Sequence, residues 1–184
     1  MDVPVVMVCG GSQGARTLNE ALEGALETFG PEEVQVIWAA GRNDTARWKQ
    51  AAKEADARVS FHEFIEDMAT ACAAADLLVS RAGASTTAEI AVMGKPSVLV
   101  PYPYATDAHQ DENARAFKEA GAALMFSDAE CTVSKMCEVA RDLLMDADRL
   151  RAMGVAAKGL ARPDAARDIV RAIEAAVGES TKAN

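Results

Sequence analysis

Short hydrophobic runs alternate along the chain with longer segments in which apolar residues recur at helical spacing. The runs are continuously apolar instead of alternating with polar residues, which is typical of strands buried on both faces of a parallel sheet. We therefore predict six strands, which occupy Val3–Cys9, Val34–Ala39, Val59–Phe64, Asp76–Ser80, Ser97–Val100 and Ala122–Phe126.

The segments between and after these strands predict helices. In the first segment Leu18, Leu22 and Leu26 fall on one face, and Gly30 follows where the helix should stop. We predict helices over Ser12–Phe29, Asp44–Ala55, Met68–Ala75, Thr86–Met93, Gln110–Ala120, Val133–Met145, Asp148–Leu160 and from Pro163 to about Val177.

The alternation of strands and helices predicts an α/β fold. We expect a Rossmann-like three-layer structure, with helices on both faces of a parallel sheet of about six strands. Because 184 residues are enough for one core, residues 1–178 should form a single domain. The polar residues 179–184 are expected to form a frayed tail.

Polar side chains follow two of the predicted strands, in the segments Ser80–Ile90 and Pro101–Asn113. Because the carboxyl ends of parallel strands meet at one edge of the sheet, both segments should open where α/β proteins bind ligands. Helix N-termini offer free N–H groups to anions, and a carboxylate one turn into a helix can bind a diol. This combination indicates a nucleotide, and the amides indicate an attached sugar. The residues concerned are Ser85, Thr86, Glu89, His109, Gln110 and Asn113.

A glycine-rich turn, Gly10–Ala15, follows the first strand and opens a helix. Glycine lets the backbone turn tightly and lets a ligand approach, and Ser12 could cap the helix or donate to a phosphate. The glycines are not spaced as in G-x-G-x-x-G, no Walker lysine follows, and the second strand is closed by Ala40-Gly41-Arg42 without an acidic residue. These departures count against a dinucleotide site, and a tight turn without a ligand is the alternative.

Several of these residues also have a purely structural interpretation. Glu89 could close a capping box with Thr86, and Asp107 could cap the helix that contains Gln110. A lone histidine such as His109 is more often structural than catalytic. The structural interpretation also applies to His62, Asp76 and Arg81.

Composition and charge narrow the function classes. The net charge of −9 argues against broad nucleic-acid binding, and a phosphate site must then be built from local backbone N–H groups. The four cysteines are scattered, which favours reduced thiols in a cytosolic protein over a metal site. No apolar run has the length of a membrane span, and no signal peptide is expected. Because a strand begins almost at the first residue, the chain is either a complete small protein or half of a larger one.

Several motifs stand in a fixed order along the chain, namely G-G-S-Q-G-A-R, F-I-E-D-M, S-R-A-G-A-S-T-T-A-E-I, G-K-P-S-V-L-V-P-Y-P and D-x-H-Q-x-x-N-A. Together they resemble the MurG family of N-acetylglucosaminyltransferases from about Val5 to about Val177. The resemblance covers the C-terminal, donor-binding domain of that family. It implies one half of the two-domain GT-B fold, with the N-terminal acceptor-binding domain absent from this chain.

The resemblance implies which residues bind the nucleotide. Gly11, Ser12 and Gly14 would lie beside the donor diphosphate. Phe64 and Ile65 would flank the uracil, with the Ile65 backbone contacting the edge of the base.

The next motif is implied to contact the rest of the donor. Ala84, Ser85 and Thr86 would bring N–H groups and a hydroxyl to the phosphates and the sugar. Glu89 would bind the ribose hydroxyls.

The last motif is implied to bind N-acetylglucosamine. Gln110 and Asn113 would bond hydroxyls of that sugar, and His109 stands beside them where some family members have glutamine. The motifs identify no catalytic base, although His109 is a candidate.

The resemblance implies an inverting transfer of N-acetylglucosamine from UDP-N-acetylglucosamine to lipid I, which makes lipid II in peptidoglycan synthesis. The partners would be UDP-N-acetylglucosamine or UDP and, through the N-terminal domain, lipid I; neither nucleic acid nor direct membrane insertion is expected. No cofactor would be obligatory, and no D-x-D metal motif stands in a suitable place. The location would be cytoplasmic, with the full-length enzyme peripheral on the cytoplasmic face of the bacterial inner membrane. The alternatives are a donor-binding subunit of a split GT-B transferase and a different nucleotide-binding Rossmann module.

Overall fold

A computed structural model of the chain describes residues 3–105 and 109–182, with side chains as far as residue 177. Strands β1 to β6 are, in order, Val5–Cys9, Gln35–Ala39, Arg58–His62, Leu77–Ser80, Ser97–Leu99 and Ala123–Met125. Helices α1 to α8 are Arg16–Leu26, Thr45–Glu54, Met68–Ala74, Ala84–Met93, His109–Glu119, Val133–Leu144, Ala147–Gly159 and Ala165–Lys182.

The strands form one parallel sheet with the order β3-β2-β1-β4-β5-β6. Val8 in the central strand β1 lies opposite Trp38 on one side and Val79 on the other. The order reverses between β1 and β4, which is the topological switch point where open α/β sheets bind ligands. The predicted Rossmann-like parallel sheet is thus confirmed.

Two hydrophobic clusters cover the two faces of the sheet. Val6 and Val8 contribute to one of them, whereas Met7 and Cys9 contribute to the other, as expected for successive strand residues. Because β1 is buried on both faces, its residues are apolar without alternation, which explains the pattern in the sequence.

A buried amide anchors α1 to the sheet. Asn19 is 2% exposed; its Nδ2 donates to the Ala40 carbonyl oxygen at 2.8 Å and its Oδ1 accepts from Trp38 Nε1 at 2.9 Å. A buried polar side chain is tolerated when both its donor and its acceptor are used. These bonds fix the start of α1 relative to the end of β2.

Several element ends differ from the predictions. The first helix begins at Arg16 instead of Ser12, because Gly11 and Gly14 have φ angles of +85° and +86°, which a helix cannot contain. β3 ends at His62 instead of Phe64. α4 begins at Ala84, before the predicted start at Thr86.

The end of the chain also differs from the prediction. Helix α8 continues to Lys182, so Gly178 does not stop it and part of the expected tail is helical. Ile169, Ile173 and Val177 on α8 are more than half exposed. Within the described residues, no helix combines the length and the apolar character needed to cross a bilayer.

Candidate functional site

A cleft of about 620 Å³ opens at the carboxyl edge of the sheet, outside the ends of β1 and β4. This is the switch point of the strand order. Loops after β1, β2, β4 and β5 line the cleft, together with the start of α1 and the first turn of α4. The fold therefore brings the glycine-rich turn and both polar segments to one place, as the sequence predicted.

The glycine-rich turn presents the N-terminus of α1 to the cleft. The Gly14 N–H donates to the Gly11 carbonyl oxygen at 3.0 Å, which closes the turn. The helix cap is Ala15, whose side chain cannot accept a hydrogen bond, so the interpretation of Ser12 as the cap is wrong. The first bond within the helix runs from the Asn19 N–H to the Ala15 carbonyl oxygen at 2.9 Å. The N–H groups before Asn19 in this turn are consequently left without a helical acceptor.

Glycine at position 14 is required by a close approach of two loops. A Cβ atom there would lie 2.2 Å from the Ala40 carbonyl oxygen, and one on Gly41 would lie 2.0 Å from the Gly14 nitrogen. Both residues have positive φ angles, which other L residues rarely adopt. The loops after β1 and β2 thus pack against each other directly, which sets the position of the α1 N-terminus.

The N-terminus of α4 is open in the same way. Its cap is Gly83, and the first helical bond is donated by the Thr87 N–H to the Gly83 carbonyl oxygen at 2.9 Å. Thr86 lies inside the first turn, so the capping box between Thr86 and Glu89 is not formed and that interpretation is wrong. Gly83 and Thr86 line the cleft, and the backbone N–H groups of the first turn have no helical acceptor.

Glu89 lies one turn along α4 and lines a neighbouring recess of about 530 Å³. Residues three apart on a helix share a face, so Thr86 and Glu89 connect the cleft with this recess. Glu89 is exposed, and its carboxylate makes no hydrogen bond to any residue of the described segments. Phe64, 54% exposed, and the half-buried Ile65 directly precede Glu66 at the rim of the recess.

The loop after β5 and the start of α5 form another wall of the cleft. Gln110 lines it and accepts a hydrogen bond from the Tyr102 N–H through Oε1 at 3.0 Å. Asn113 Nδ2 donates to the Ala82 carbonyl oxygen at 3.0 Å. His109 is exposed at the start of α5. The suggested cap Asp107 lies outside the described residues.

Sequence reasoning missed several residues of the cleft. Tyr102 and Tyr104 lie on its wall with ring centroids 5.7 Å apart, and Tyr104 is 83% exposed. Thr17 and Asp128 also line the cleft. Asp128 follows β6 at the carboxyl edge of the sheet. Its position shortly after a predicted strand could have indicated in the sequence that it lies at the cleft.

The charges of the cleft are balanced. The positively charged residues that line it are Arg16 and Arg81, and the negatively charged ones are Asp44 and Asp128. A general positive field is therefore absent from the lining, and an anion would depend on the open helix N-termini and on the placement of single charges.

The cysteine in the cleft is not a nucleophile. Burial raises the pKa of the Cys9 thiol to about 12, so it stays protonated at neutral pH. All four cysteines are free. In the described segments, no group of three or more His, Cys, Asp and Glu residues is arranged to hold a metal ion.

Comparisons with known proteins show the family to which the chain belongs and agree with the fold described above. The model of the glycosyltransferase family 28 C-terminal domain matches residues 5–169. A relative from Desulforamulus reducens is 37% identical over an alignment of 180 residues, and the match covers 94% of this chain and 48% of the relative. It is named UDP-N-acetylglucosamine–N-acetylmuramyl-(pentapeptide) pyrophosphoryl-undecaprenol N-acetylglucosamine transferase. The Myxococcus xanthus protein of the same name is 42% identical over 166 residues, 89% of this chain and 43% of the relative.

Among solved structures, Acinetobacter baumannii MurG is similar with a TM-score of 0.84 and 33% identity. The match covers 95% of this chain and 50% of that one. The chain thus spans about half the length of the relatives it matches. These similarities confirm the resemblance indicated by the motifs and the prediction of one half of a GT-B fold.

Proposed function

The chain belongs to the C-terminal domain family of glycosyltransferase family 28, and from that membership we propose that it binds UDP-N-acetylglucosamine as the donor domain of a MurG-type transferase. The observation that carries the proposal is the convergence of two uncapped helix N-termini, those of α1 and α4, on one cleft. Open N–H groups and the helix dipole favour an anionic group there. A diphosphate is the anion that the name of the relatives suggests.

The course of α4 supports a nucleotide. A diphosphate at Gly83–Thr86 would place the ribose one turn further along the same face, beside Glu89. A carboxylate that makes no hydrogen bond to the protein can accept hydrogen bonds from both hydroxyls of a diol. The base would then lie against Phe64 and Ile65, which directly precede Glu66 in the wall of the recess.

The opposite end of the donor would be the sugar. Gln110 and Asn113 lie three residues apart and face the same way. One amide group of each is already bonded to a loop, Gln110 to the Tyr102 N–H and Asn113 to the Ala82 carbonyl oxygen. These bonds fix the side chains, and the remaining amide groups are left to bind sugar hydroxyls.

In the proposed reaction, the acceptor hydroxyl of lipid I attacks the anomeric carbon and UDP leaves, which makes lipid II. The negative charge that develops on the leaving diphosphate would be stabilised by the N–H groups of α1 and α4. The acceptor site would be supplied by the N-terminal domain of the full-length enzyme. That enzyme would act in the cytoplasm, at the inner face of the bacterial membrane.

Calorimetric titration tests the ligand. We expect the 184-residue chain to bind UDP and UDP-N-acetylglucosamine. We expect it to bind NAD much more weakly, because residues 40–43 directly after β2 include no acidic residue to hold its ribose. Stronger binding of NAD than of UDP would refute the proposal in favour of a dinucleotide-binding module.

Turnover tests the role of the half of the relatives that this chain does not span. Alone, this chain should form little lipid II, because a donor domain cannot orient the acceptor. Activity should appear when a separately produced acceptor domain is added, if the protein is a subunit of a split transferase. Efficient turnover by the 184-residue chain alone would show that the donor-domain proposal is wrong.

A further inference from the structure

An arginine at the tip of β4 is bonded on several sides. The Nη1 group of Arg81 donates to the carbonyl oxygens of Val100 at 3.2 Å and Pro101 at 3.1 Å, which follow β5. The same nitrogen donates to Asp128 Oδ1 at 2.5 Å. The guanidinium carbon lies 5.4 Å from the centroid of the Tyr102 ring. Arg81 is therefore held in one orientation between the ends of β4 and β5.

The carboxylate of Asp128 continues this chain of bonds to the glycine-rich turn. Its second oxygen, Oδ2, accepts from Thr17 Oγ1 at 2.8 Å, in the first turn of α1. Thr17, Arg81 and Asp128 all line the cleft. A single carboxylate thus connects the tips of β4 and β5 with one of the two open helix N-termini.

The pair is well shielded but has unused donors. The side chains of Arg81 and Asp128 are 11% and 26% exposed. The Nε and Nη2 groups of Arg81 make no hydrogen bond to any residue within 3–105 or 109–177. An arginine in a cleft wall with a fixed plane and spare N–H groups is suited to an anionic oxygen.

We propose that Asp128 is a positioning residue that holds the Arg81 guanidinium in the cleft, where its spare N–H groups bind an oxygen of the ligand diphosphate. The proposal deepens the proposed function and rests on it, since the diphosphate is that of the sugar nucleotide. The proposal also explains why a negatively charged carboxylate lies in a site for an anion. Both oxygens of Asp128 accept hydrogen bonds from the protein, and the charge of the carboxylate is compensated by Arg81.

A double-mutant cycle between Arg81 and Asp128 tests the proposal, with UDP, inorganic pyrophosphate and uridine as probes. Arg81→Gln should weaken the binding of UDP and pyrophosphate by roughly ten- to a hundredfold, the value of one charge-assisted hydrogen bond. Asp128→Ala should weaken both by about tenfold, but should have no further effect in the Arg81→Gln background. Uridine, followed by NMR titration, should bind all variants alike.

Matched variants separate positioning from folding. Thr17→Val removes only the bond to α1 and should weaken UDP binding less than Asp128→Ala, because Arg81 keeps its partner. Asp128→Asn keeps an acceptor for Arg81 without the charge and serves if Asp128→Ala does not fold; its loss of affinity should also vanish in the Arg81→Gln background. Losses that add in the double variant, or an equal loss for uridine, would overturn the proposal.

The probes also distinguish this inference from the proposed function. Pyrophosphate binding that depends on Arg81 and Asp128 in a chain that does not bind UDP would support an anion site in which Asp128 positions Arg81, but would refute the proposed function and the assignment of the anion to a sugar nucleotide. UDP binding with additive losses would do the reverse. A chain that binds neither probe would refute both.

Discussion

Three helices that begin at the cleft differ from three that begin elsewhere in how their first turns are capped. α1 begins after Ala15, α2 after Asp44 and α4 after Gly83, and none of these residues makes a side-chain cap bond. All three caps line the cleft. In contrast, α3, α6 and α7 are capped by side chains that accept from a backbone N–H of the first turn. Those caps are Asp67, Thr132 and Asp146.

The difference shows that the helices at the cleft lack the stabilisation that a side-chain cap gives. A missing side-chain cap costs a helix about 0.5–2 kcal/mol at a residue such as Ala15 and only a few tenths of a kcal/mol at a glycine such as Gly83. Sequences usually satisfy such local rules, and departures from them concentrate at functional sites. The open N–H groups of α1 and α4 are then available to a ligand, whereas in each of α3, α6 and α7 one N–H of the first turn is already bonded to the cap.

The largest effect is expected where the position of the α1 N-terminus is set. Gly14→Ala places a methyl group 2.2 Å from the Ala40 carbonyl oxygen at a φ angle of +86°. The loop must move, so we expect a loss of about 3 kcal/mol in the free energy of unfolding. UDP binding should be lost as well. Chemical denaturation and calorimetric titration measure the two effects.

Gly11→Ala is the matched control for that change. Gly11 has a similar φ angle of +85°, but nothing lies within 4 Å of the added Cβ atom. Its cost should be limited to backbone strain, about 1 kcal/mol. If the two variants are equally stable, the close approach of the loops does not position α1.

Capping α4 tests the comparison directly. Gly83 has the extended backbone of a helix cap, and a Cβ atom there would meet only Thr86 Oγ1 at 3.8 Å. Gly83→Asp should therefore cap the helix and raise the free energy of unfolding by a few tenths of a kcal/mol. The new carboxylate would occupy the open N–H groups and repel a diphosphate, weakening UDP binding by about 2–3 kcal/mol. Gly83→Ser, a cap without charge, should weaken it less.

Removing a cap far from the cleft gives the opposite pattern. Asp146 accepts from the Arg149 N–H at 2.9 Å at the start of α7. Asp146→Ala should lower the free energy of unfolding by about 1 kcal/mol and leave UDP binding unchanged. If Gly83→Asp leaves the affinity for UDP unchanged, the open N–H groups of α4 do not bind the ligand.

Much of this contrast could be predicted from the sequence. The order of strands and helices follows from continuous apolar runs such as Val34–Ala39, and the shared edge of the polar segments follows from parallel topology. The helix caps were predicted less accurately than the order of the elements. Ser12 has the better capping side chain, but the positive φ angles of Gly11 and Gly14 move the helix start to Arg16.

Contacts between distant segments were beyond sequence reasoning. The bond between Asp128 and Arg81 joins residues 47 positions apart, and that between Asp128 and Thr17 joins residues 111 positions apart. No local pattern encodes such pairs, because they depend on which loops meet at the sheet edge. Propensity and periodicity describe a residue's neighbours in the chain, not those in space.

The second turn of α4 offers a further test of how the helix is used. Glu89 does not take part in a capping box, so Glu89→Ala should leave the free energy of unfolding nearly unchanged. If Glu89 binds the ribose hydroxyls, UDP binding should weaken by roughly 1.5–3 kcal/mol. A lower melting temperature with unchanged affinity would contradict the ribose role. Glu66→Ala, on the rim of the same recess, is the control.

The smallest effect concerns a wall of the cleft that acts through side chains. Gln110 holds the Tyr102 N–H through Oε1, and its Nε2 group makes no hydrogen bond to the described residues. Gln110→Ala should weaken UDP-N-acetylglucosamine binding by about 1 kcal/mol and leave UDP binding nearly unchanged, since only the sugar would contact this amide.

Gln110→Glu sharpens the last test because it keeps an acceptor for Tyr102 while it replaces the amide donor with a carboxylate. The added negative charge should weaken the binding of UDP and of UDP-N-acetylglucosamine alike. If the donor binds a sugar hydroxyl, the loss for UDP-N-acetylglucosamine should exceed the loss for UDP by as much as in Gln110→Ala, without the loss of stability that an unpaired N–H causes. An equal loss for UDP and for the sugar nucleotide would instead mean that Gln110 only supports the loop. This outcome decides whether the cleft binds its ligand through open helix N-termini alone or also distinguishes the sugar through side chains.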